Sequence, residues 1–298
     1  MQTVEMSYKQ SSNQPQIPTI PLDQNVVRLI RYAPEALLEK LLVSVLPNTG
    51  DVLETALIGR ARIRELAERL AYLDDDSIGA LVTNSGRIVE MTDDLGQEAL
   101  QSTAMNRGML SSLENAFARS LWVFLYESGS FRRAEEIRYA DNYRLGRMWD
   151  GFVGPKNAVI SNNAEHHQEF RDRIRSYFRS GQVKVEIYKR TRPDLEDGEH
   201  HLQQVVVYRE GLPDSFLEFE DGELARRSWR PVLEFALTYE ANSGVIEVVA
   251  QGRDCREEMA RAFSETMLRQ EIESERVPLR SEFLIPTCFY RVFYQSGR

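Results

Sequence analysis

The chain has 298 residues, 42% of them apolar and 28% charged, with a formal net charge of −9. That is the balance of an ordinary globular protein, long enough for one large or two ordinary domains. It excludes several classes: the longest apolar run, Leu121 to Tyr126, is far short of a membrane span, and the acidic balance works against indiscriminate binding to nucleic acid or anionic lipid.

Residues 1–22, with Ser11, Ser12, Asn13 and three prolines (Pro15, Pro18, Pro21), read as a flexible leader without an export signal. The two cysteines, Cys255 and Cys288, lie on separate predicted elements and fit a reducing cytosol, so a cytoplasmic protein is expected. A helical region opens at Asp23, with Val26, Leu29 and Ile30 and then Leu37, Leu38, Leu41, Leu42 and Val45 at helical spacing. A second helix carries Val52, Ala56, Ile63 and Leu66 inward and Arg60, Arg64 and Arg69 outward, and Asp74-Asp75-Asp76-Ser77 ends it as a solvated capping turn. Residues 80–91 read as a small hairpin around Asn84-Ser85-Gly86. The most apolar helix runs from Met109 to Tyr126, and Leu110, Leu113, Phe117 and Leu121 make it the expected centre of the N-terminal core.

Another helix runs to about Trp149, and Gly151, Gly154 and Pro155 then mark a domain boundary. Beyond it, a helix from Ala164 to Arg179 buries Phe170, Ile174, Tyr177 and Phe178. The period then changes to two. Val183, Val185 and Ile187 alternate with Lys184, Glu186 and Tyr188, and Val205-Val206-Val207 suits a central strand. Leu217 and Phe219 alternate with Glu218 and Glu220 before an Asp221-Gly222 turn. Runs over residues 233–239 and 245–249 complete a meander of about six strands. A capping-box-like Asp254 and Glu257 open a helix burying Met259, Phe263 and Met267, and Phe283 to Tyr294 suits a last strand. The expected fold is α+β: a flexible leader (1–22), a helical region (23–150), and a domain (156–298) built on an antiparallel β-meander flanked by helices packed on one face.

Chemistry is sparse. All four histidines lie in two copies of one triplet, Glu165-His166-His167 and Glu199-His200-His201. Adjacent residues diverge on a helix and on a strand alike, so His166, His167, His200 and His201 are weak metal candidates and no metal is expected. There is no nucleophile elbow, no phosphate-cradling Gly-Lys-Ser/Thr loop and no dinucleotide fingerprint, and no cofactor is expected.

The departure from background is the segment 171–192, with eight basic and two acidic residues. Arg171, Arg175 and Arg179 repeat every four residues as one stripe, and Lys184, Tyr188 and Arg190 share one strand face. A cationic ridge with an exposed aromatic is what phosphate contact plus base stacking would use. A winged-helix reading of 52–91 lacks a recognition helix. The meander closed by a long helix resembles the helix-grip architecture of small-ligand carriers in element order alone. The leading expectation is an intracellular non-enzymatic interaction or regulatory protein, such as a subunit of a larger assembly, with a protein partner and no membrane. The alternatives are nucleic-acid binding through 171–192, and a ligand-binding protein or enzyme with a pocket under the sheet.

Overall fold

The computed structural model describes residues 23–45, 74–145, 148–194, 198–272 and 276–277. The leader, the helix expected over 52–70 and the strand expected over 283–294 lie outside the described residues. In chain order the described elements are α1 (Gln24–Tyr32), α2 (Glu35–Val45), α3 (Asp75–Glu90), α4 (Asp94–Thr103), α5 (Arg107–Ser112), α6 (Ala116–Tyr126), α7 (Ser128–Leu145), β1 (Trp149–Val153), α8 (Ala164–Phe178), β2 (Val183–Asp194), β3 (Gly198–Glu210), β4 (Asp214–Glu220), β5 (Glu223–Trp229), β6 (Val232–Tyr239), β7 (Val245–Val249) and α9 (Arg253–Phe263), which runs on into a π-helical turn, Ser264–Leu268. They fall into two compact units.

The first unit is helical and holds α1, α2, α3 and α6. The Asp23 carboxylate caps α1 by accepting from the Asn25 N–H (2.8 Å). That helix buries Val26, Leu29 and Ile30, and α2 buries Leu38, Leu41 and Leu42. The hairpin expected over 80–91 does not form, because α3 runs straight through it. Asp74 caps α3 through the Ser77 N–H (2.8 Å), and Leu81, Ser85, Ile88 and Val89 make one buried helical stripe. That stripe outweighs the local Asn-Ser-Gly turn preference. The helix expected from Met109 to Tyr126 is two helices. Asn115 restarts it as α6 by accepting from the Ala118 N–H (2.8 Å). Ala118, Ser120, Leu121 and Val123 are the buried residues of α6, and Leu110 belongs to α5 in the other unit. Phe117 is half-buried and stacks on Tyr32 with ring centroids 5.1 Å apart.

The second unit holds α4, α5, α7, α8, α9 and every strand. Its antiparallel sheet has the order β1-β7-β6-β3-β2, which is the expected meander with β1 added beside β7 and with β4–β5 set apart as a two-stranded ribbon. The Gly151–Pro155 segment is therefore not a domain boundary here: Gly151 lies inside β1, opposite Glu247 of β7. The Trp149–Val153 strand and α7 before it belong with the sheet.

Alternation sorts the strand residues onto two faces. On one face Val183, Val205, Val207, Phe235, Leu237, Tyr239, Ile246 and Val248 form the main core with Phe170 and Ile174 of α8 and Met259, Phe263 and Met267 of α9 and its π turn. Phe170 and Phe263 meet edge-on at 5.9 Å. The buried Tyr239 hydroxyl is satisfied: it donates to the Pro155 carbonyl (2.7 Å) and accepts from the Ala158 N–H (3.1 Å). The expected capping box at the start of α9 is absent, since Gly252 is the N-cap and Asp254 lies in the first turn. The other face carries a small apolar cluster of Trp149, Ala236 and Val249 with Ala140 of α7. Helices thus lie against both faces, and the α7 side is the polar one.

This packing yields two stability expectations. In urea melts Leu121→Ala costs about 2–5 kcal/mol, as for a fully buried leucine, and Phe117→Ala costs less because its ring is only partly buried. Residues 156–298 expressed alone lose β1 and α7 and give a non-cooperative melt with poorly dispersed amide spectra, whereas a fragment from Asp93 onward, which keeps α4, α7 and β1 with the sheet, melts with a sharp transition.

Candidate functional site

Along the polar face of the sheet one row of cross-strand neighbours runs Gly151, Glu247, Thr238, Gln204, Tyr188. Helix α7 covers it with charge. Asp141 of α7 accepts a two-pronged bond from Arg190 of β2, at 2.7 and 2.8 Å, and the Arg190 side chain is 2% exposed. Glu247 of β7 holds Arg192 of β2 at 2.9 Å and Arg144 of α7 at 3.0 Å. Burial alone would raise the Asp141 carboxyl, but the charge and hydrogen bonds of Arg190, with Arg192 and Arg144, hold it below the ordinary range. Glu247 is held down in the same way against its own burial, chiefly by Arg192 and Arg144. Burial pushes the Arg144 guanidinium down to about 10. Toward the start of β2, Glu136 of α7 accepts from the Tyr208 hydroxyl and from Arg132 (2.9 Å), and Arg132 also bridges Glu186 (2.8 Å). Bidentate, mutually compensated pairs of this kind hold α7 on the sheet. Asp141, Arg144 and Glu247 carried no sequence signal, because their partners are remote in the chain.

The basic segment is divided by the fold. Tyr188 and Arg190 face α7: Arg190 is sealed against Asp141, and the Arg133 guanidinium lies over the Tyr188 ring at 6.0 Å. Lys184, on the same face but at the exposed end of β2, pairs with Glu186 at 2.6 Å. Arg171, Arg175 and Arg179 are on α8, against the opposite face of the sheet. Arg171 donates to Gln168 (2.8 Å), Arg175 pairs with Asp172 (2.7 Å), and Arg179 is the exposed left-handed C-cap with φ 53°. The six residues therefore do not share one surface. A shallow, open groove runs along α8, lined by Glu165, Gln168, Glu169, Asp172, Arg173 and Ser176, with three carboxylates to one guanidinium.

The histidines are engaged in local bonds. His166 Nδ1 pairs with the Ser161 hydroxyl (2.7 Å) and His167 Nε2 with the Ser161 carbonyl (2.8 Å), just before α8. His200 pairs with Glu240, and His201 is exposed. Among the described residues no group of three or more His, Cys, Asp or Glu side chains is placed to hold a metal ion. Under the sheet, where a ligand cup was an alternative, Phe170, Phe235, Tyr239 and Phe263 fill the main core. No described helix is long and apolar enough to cross a membrane.

The second feature of this unit is the β4–β5 ribbon. It prolongs the β3–β6 pair past a kink at Gly211 and Pro231, whose N–H and carbonyl bond at 2.7 Å. A side chain at position 211 would meet the Pro231 ring at 2.9 Å, so the kink needs glycine there. Asp221 and Gly222 turn the tip with φ 52° and 86°, the two positive angles of a tight hairpin turn. Both faces of the ribbon are exposed and both carry large apolar side chains. Register puts Phe216 and Trp229 on one face, in edge contact at 6.3 Å, and Leu217, Phe219 and Leu224 on the other. Their exposures run from 44% at Phe216 to 76% at Phe219. The sequence showed the alternation of β4, but not that its apolar face would be left bare.

No protein-family model matches the chain, and a comparison with curated protein sequences finds no match.

Two outcomes follow. Asp141→Asn and Glu247→Gln each destabilise by about 3–5 kcal/mol, since each leaves a buried arginine uncompensated. The folded-state pKa values of both carboxyls lie below the unfolded values of about 3.9 and 4.3. Their stabilisation is thus complete above those values and is lost as pH falls through the lower folded ones, so thermal melts drop steeply on the acid side in the wild type and less so in the double variant. Separately, fluorescence anisotropy with labelled single- and double-stranded nucleic acid is expected to stay flat at low salt. A titration that tightens as salt is removed, and weakens in R171A/R175A/R179A, would restore the nucleic-acid reading.

Proposed function

We propose that this chain is a non-enzymatic interaction protein that docks a partner protein through the β4–β5 ribbon. The observation that carries the reading is the ribbon itself: five large apolar side chains on two faces, held out from the sheet past the Gly211–Pro231 kink and left exposed among the described residues. Scattered exposed hydrophobics are ordinary, whereas a contiguous set on one projecting element marks an interaction surface. Leaving both edges of a two-stranded ribbon open is likewise a liability unless pairing is its use.

The chemistry of the ribbon narrows the partner. Between Asp214 and Trp229 five carboxylates (Asp214, Glu218, Glu220, Asp221, Glu223) face two guanidiniums (Arg226, Arg227). That charge repels phosphate and anionic lipid headgroups, so a protein surface with apolar and basic character fits it better than nucleic acid or a membrane.

A photo-reactive phenylalanine analogue at position 219, expressed in the source cells, tests this. Irradiation is expected to give discrete protein adducts, absent when the analogue replaces the exposed Val159. No adduct from position 219 overturns the reading, as does capture of lipid alone. L217S/F219S is expected to abolish the partner's binding while shifting stability by less than about 0.5 kcal/mol, because both side chains are in water.

A further inference from the structure

We infer that the partner of the ribbon is a second copy of this chain: β4 of each copy adds to the open edge of β2 in the other, in a reciprocal exchange. This rests on the ribbon being a docking element and goes on to name what it docks.

The receiving edge comes first. β2 is the last strand of the sheet order and is twelve residues long. Its hydrogen-bonded neighbour is β3 on one side, and among the described residues no backbone bond is made from its other side. The opposite end of the sheet is treated differently: the edge of β1 is closed by a bridge from Phe152 to Arg276 and a bond from the Val277 N–H to the Gly151 carbonyl (2.9 Å). One edge is thus blunted and the other left as a template for a strand.

The ribbon fits that template in two independent respects. The first is its pattern. A strand with one wet face carries apolar residues on one side only, but this ribbon carries them on both. That is the composition of a strand lying between two layers. β2 offers such a slot, because α8 packs against it on the main-core face and α4 on the polar face. The second is charge. Lys184, Lys189, Arg132 and Arg133 line β2 against two acids, Glu186 and Glu136, and so keep a net positive charge, whereas Arg190 and Arg192 are already neutralised by Asp141 and Glu247. β4 brings Asp214, Glu218 and Glu220 and no cation; Arg227 of β5 pairs across the ribbon with Glu218 and with Glu220 (3.2 Å), which leaves β4 with a net negative charge, while β5 carries both ribbon arginines. β4 rather than β5 is therefore the strand that matches.

Area selects reciprocity. At about 200 Å² per large apolar side chain, scaled by exposures of 44–76%, the five ribbon side chains offer roughly 500–600 Å². One ribbon and the surface it covers would reach only about 1,100 Å², below an ordinary stable interface, whereas two exchanged ribbons reach about 2,200 Å². A two-fold exchange also closes on itself, where a one-way contact would grow into a chain.

Charge reversal tests the proposal on the full-length protein. In sedimentation velocity the wild type is expected to rise with concentration from 34.4 kDa toward twice that mass. K184E/K189E makes the receiving edge acidic and D214K/E220K makes the ribbon basic. Each alone is expected to weaken self-association by about tenfold or more. An equimolar mixture is expected to recover it, since each ribbon then meets an edge of opposite sign. All four side chains are exposed, so circular-dichroism melts should match the wild type. L217S/F219S, which changes no charge, is expected to be monomeric as well. A wild type that stays monomeric to about 100 µM overturns the inference, as does a dimer indifferent to these substitutions or a mixture that does not recover. The crosslink at position 219 separates the two readings. An adduct joined to β2 peptides of the same chain supports both, an adduct with another protein removes only the exchange, and no adduct removes both.

Discussion

The sheet unit depends on the pairing of Arg190 with Asp141. A guanidinium that is almost wholly removed from water is tolerable only against a carboxylate held in matching geometry, and the carboxylate comes from α7. Glu247 makes the same demand on Arg192 and Arg144, which ties β7 to β2 and to α7 at once. An apolar interface would tolerate a sliding helix, because one methylene replaces another at little cost. A network of directed bonds does not slide. α7 also buries Phe131, Ala134, Ile137 and Ala140, but against the sheet its apolar contact is the small cluster of Ala140 with Trp149, Ala236 and Val249, flanked by Tyr139 and Tyr143. Apolar burial holds α7 in the unit, the directed charge pairs set its register on the sheet, and α7 in turn decides what the rim of β2 presents.

The two faces of the sheet do different work. The α8 and α9 side is a packed apolar core that supplies stability. The α7 side spends its polar residues on register, and its outermost members, Arg132, Arg133 and Lys184, reach solvent. The ribbon departs from both arrangements. It keeps the pairing and tight turn of a good hairpin, yet among the described residues its large apolar side chains stay 44–76% exposed.

Legibility in the sequence followed the range of the interactions. The strands could be read because period-two alternation is local, and Val183, Val185 and Ile187 do face the core as expected. The tip turn was readable from Asp221-Gly222 alone. The region 80–91 was misread because the Asn-Ser-Gly signal is local while the stripe Leu81, Ser85, Ile88 and Val89 matters only once other helices cover it. The basic segment was counted correctly and located wrongly as a surface: counting charges says nothing of Asp141, Glu247 or Glu265, which come from other elements to meet Arg190, Arg192 and Arg173. The Gly-Pro signal after Trp149 is a genuine turn signal, but it leads out of an edge strand rather than out of a domain.

The order of elements along the chain has a consequence for biosynthesis. The chain leaves the helical unit after Thr92, returns for residues 113–126, and leaves again at Glu127. As the polypeptide emerges from the ribosome, α4 and α5 appear before any part of the sheet they belong to, and α4 must wait for α7, its main packing partner. The helical unit, in contrast, is complete once α6 has emerged. Synthesis thus finishes one unit while holding two helices of the other in suspense, and the final closure of the sheet, β1 on β7, awaits nearly the whole chain. For this protein a pause in translation after Tyr126 would expose a finished unit carrying an unfinished loop, the state in which help from a chaperone would count most.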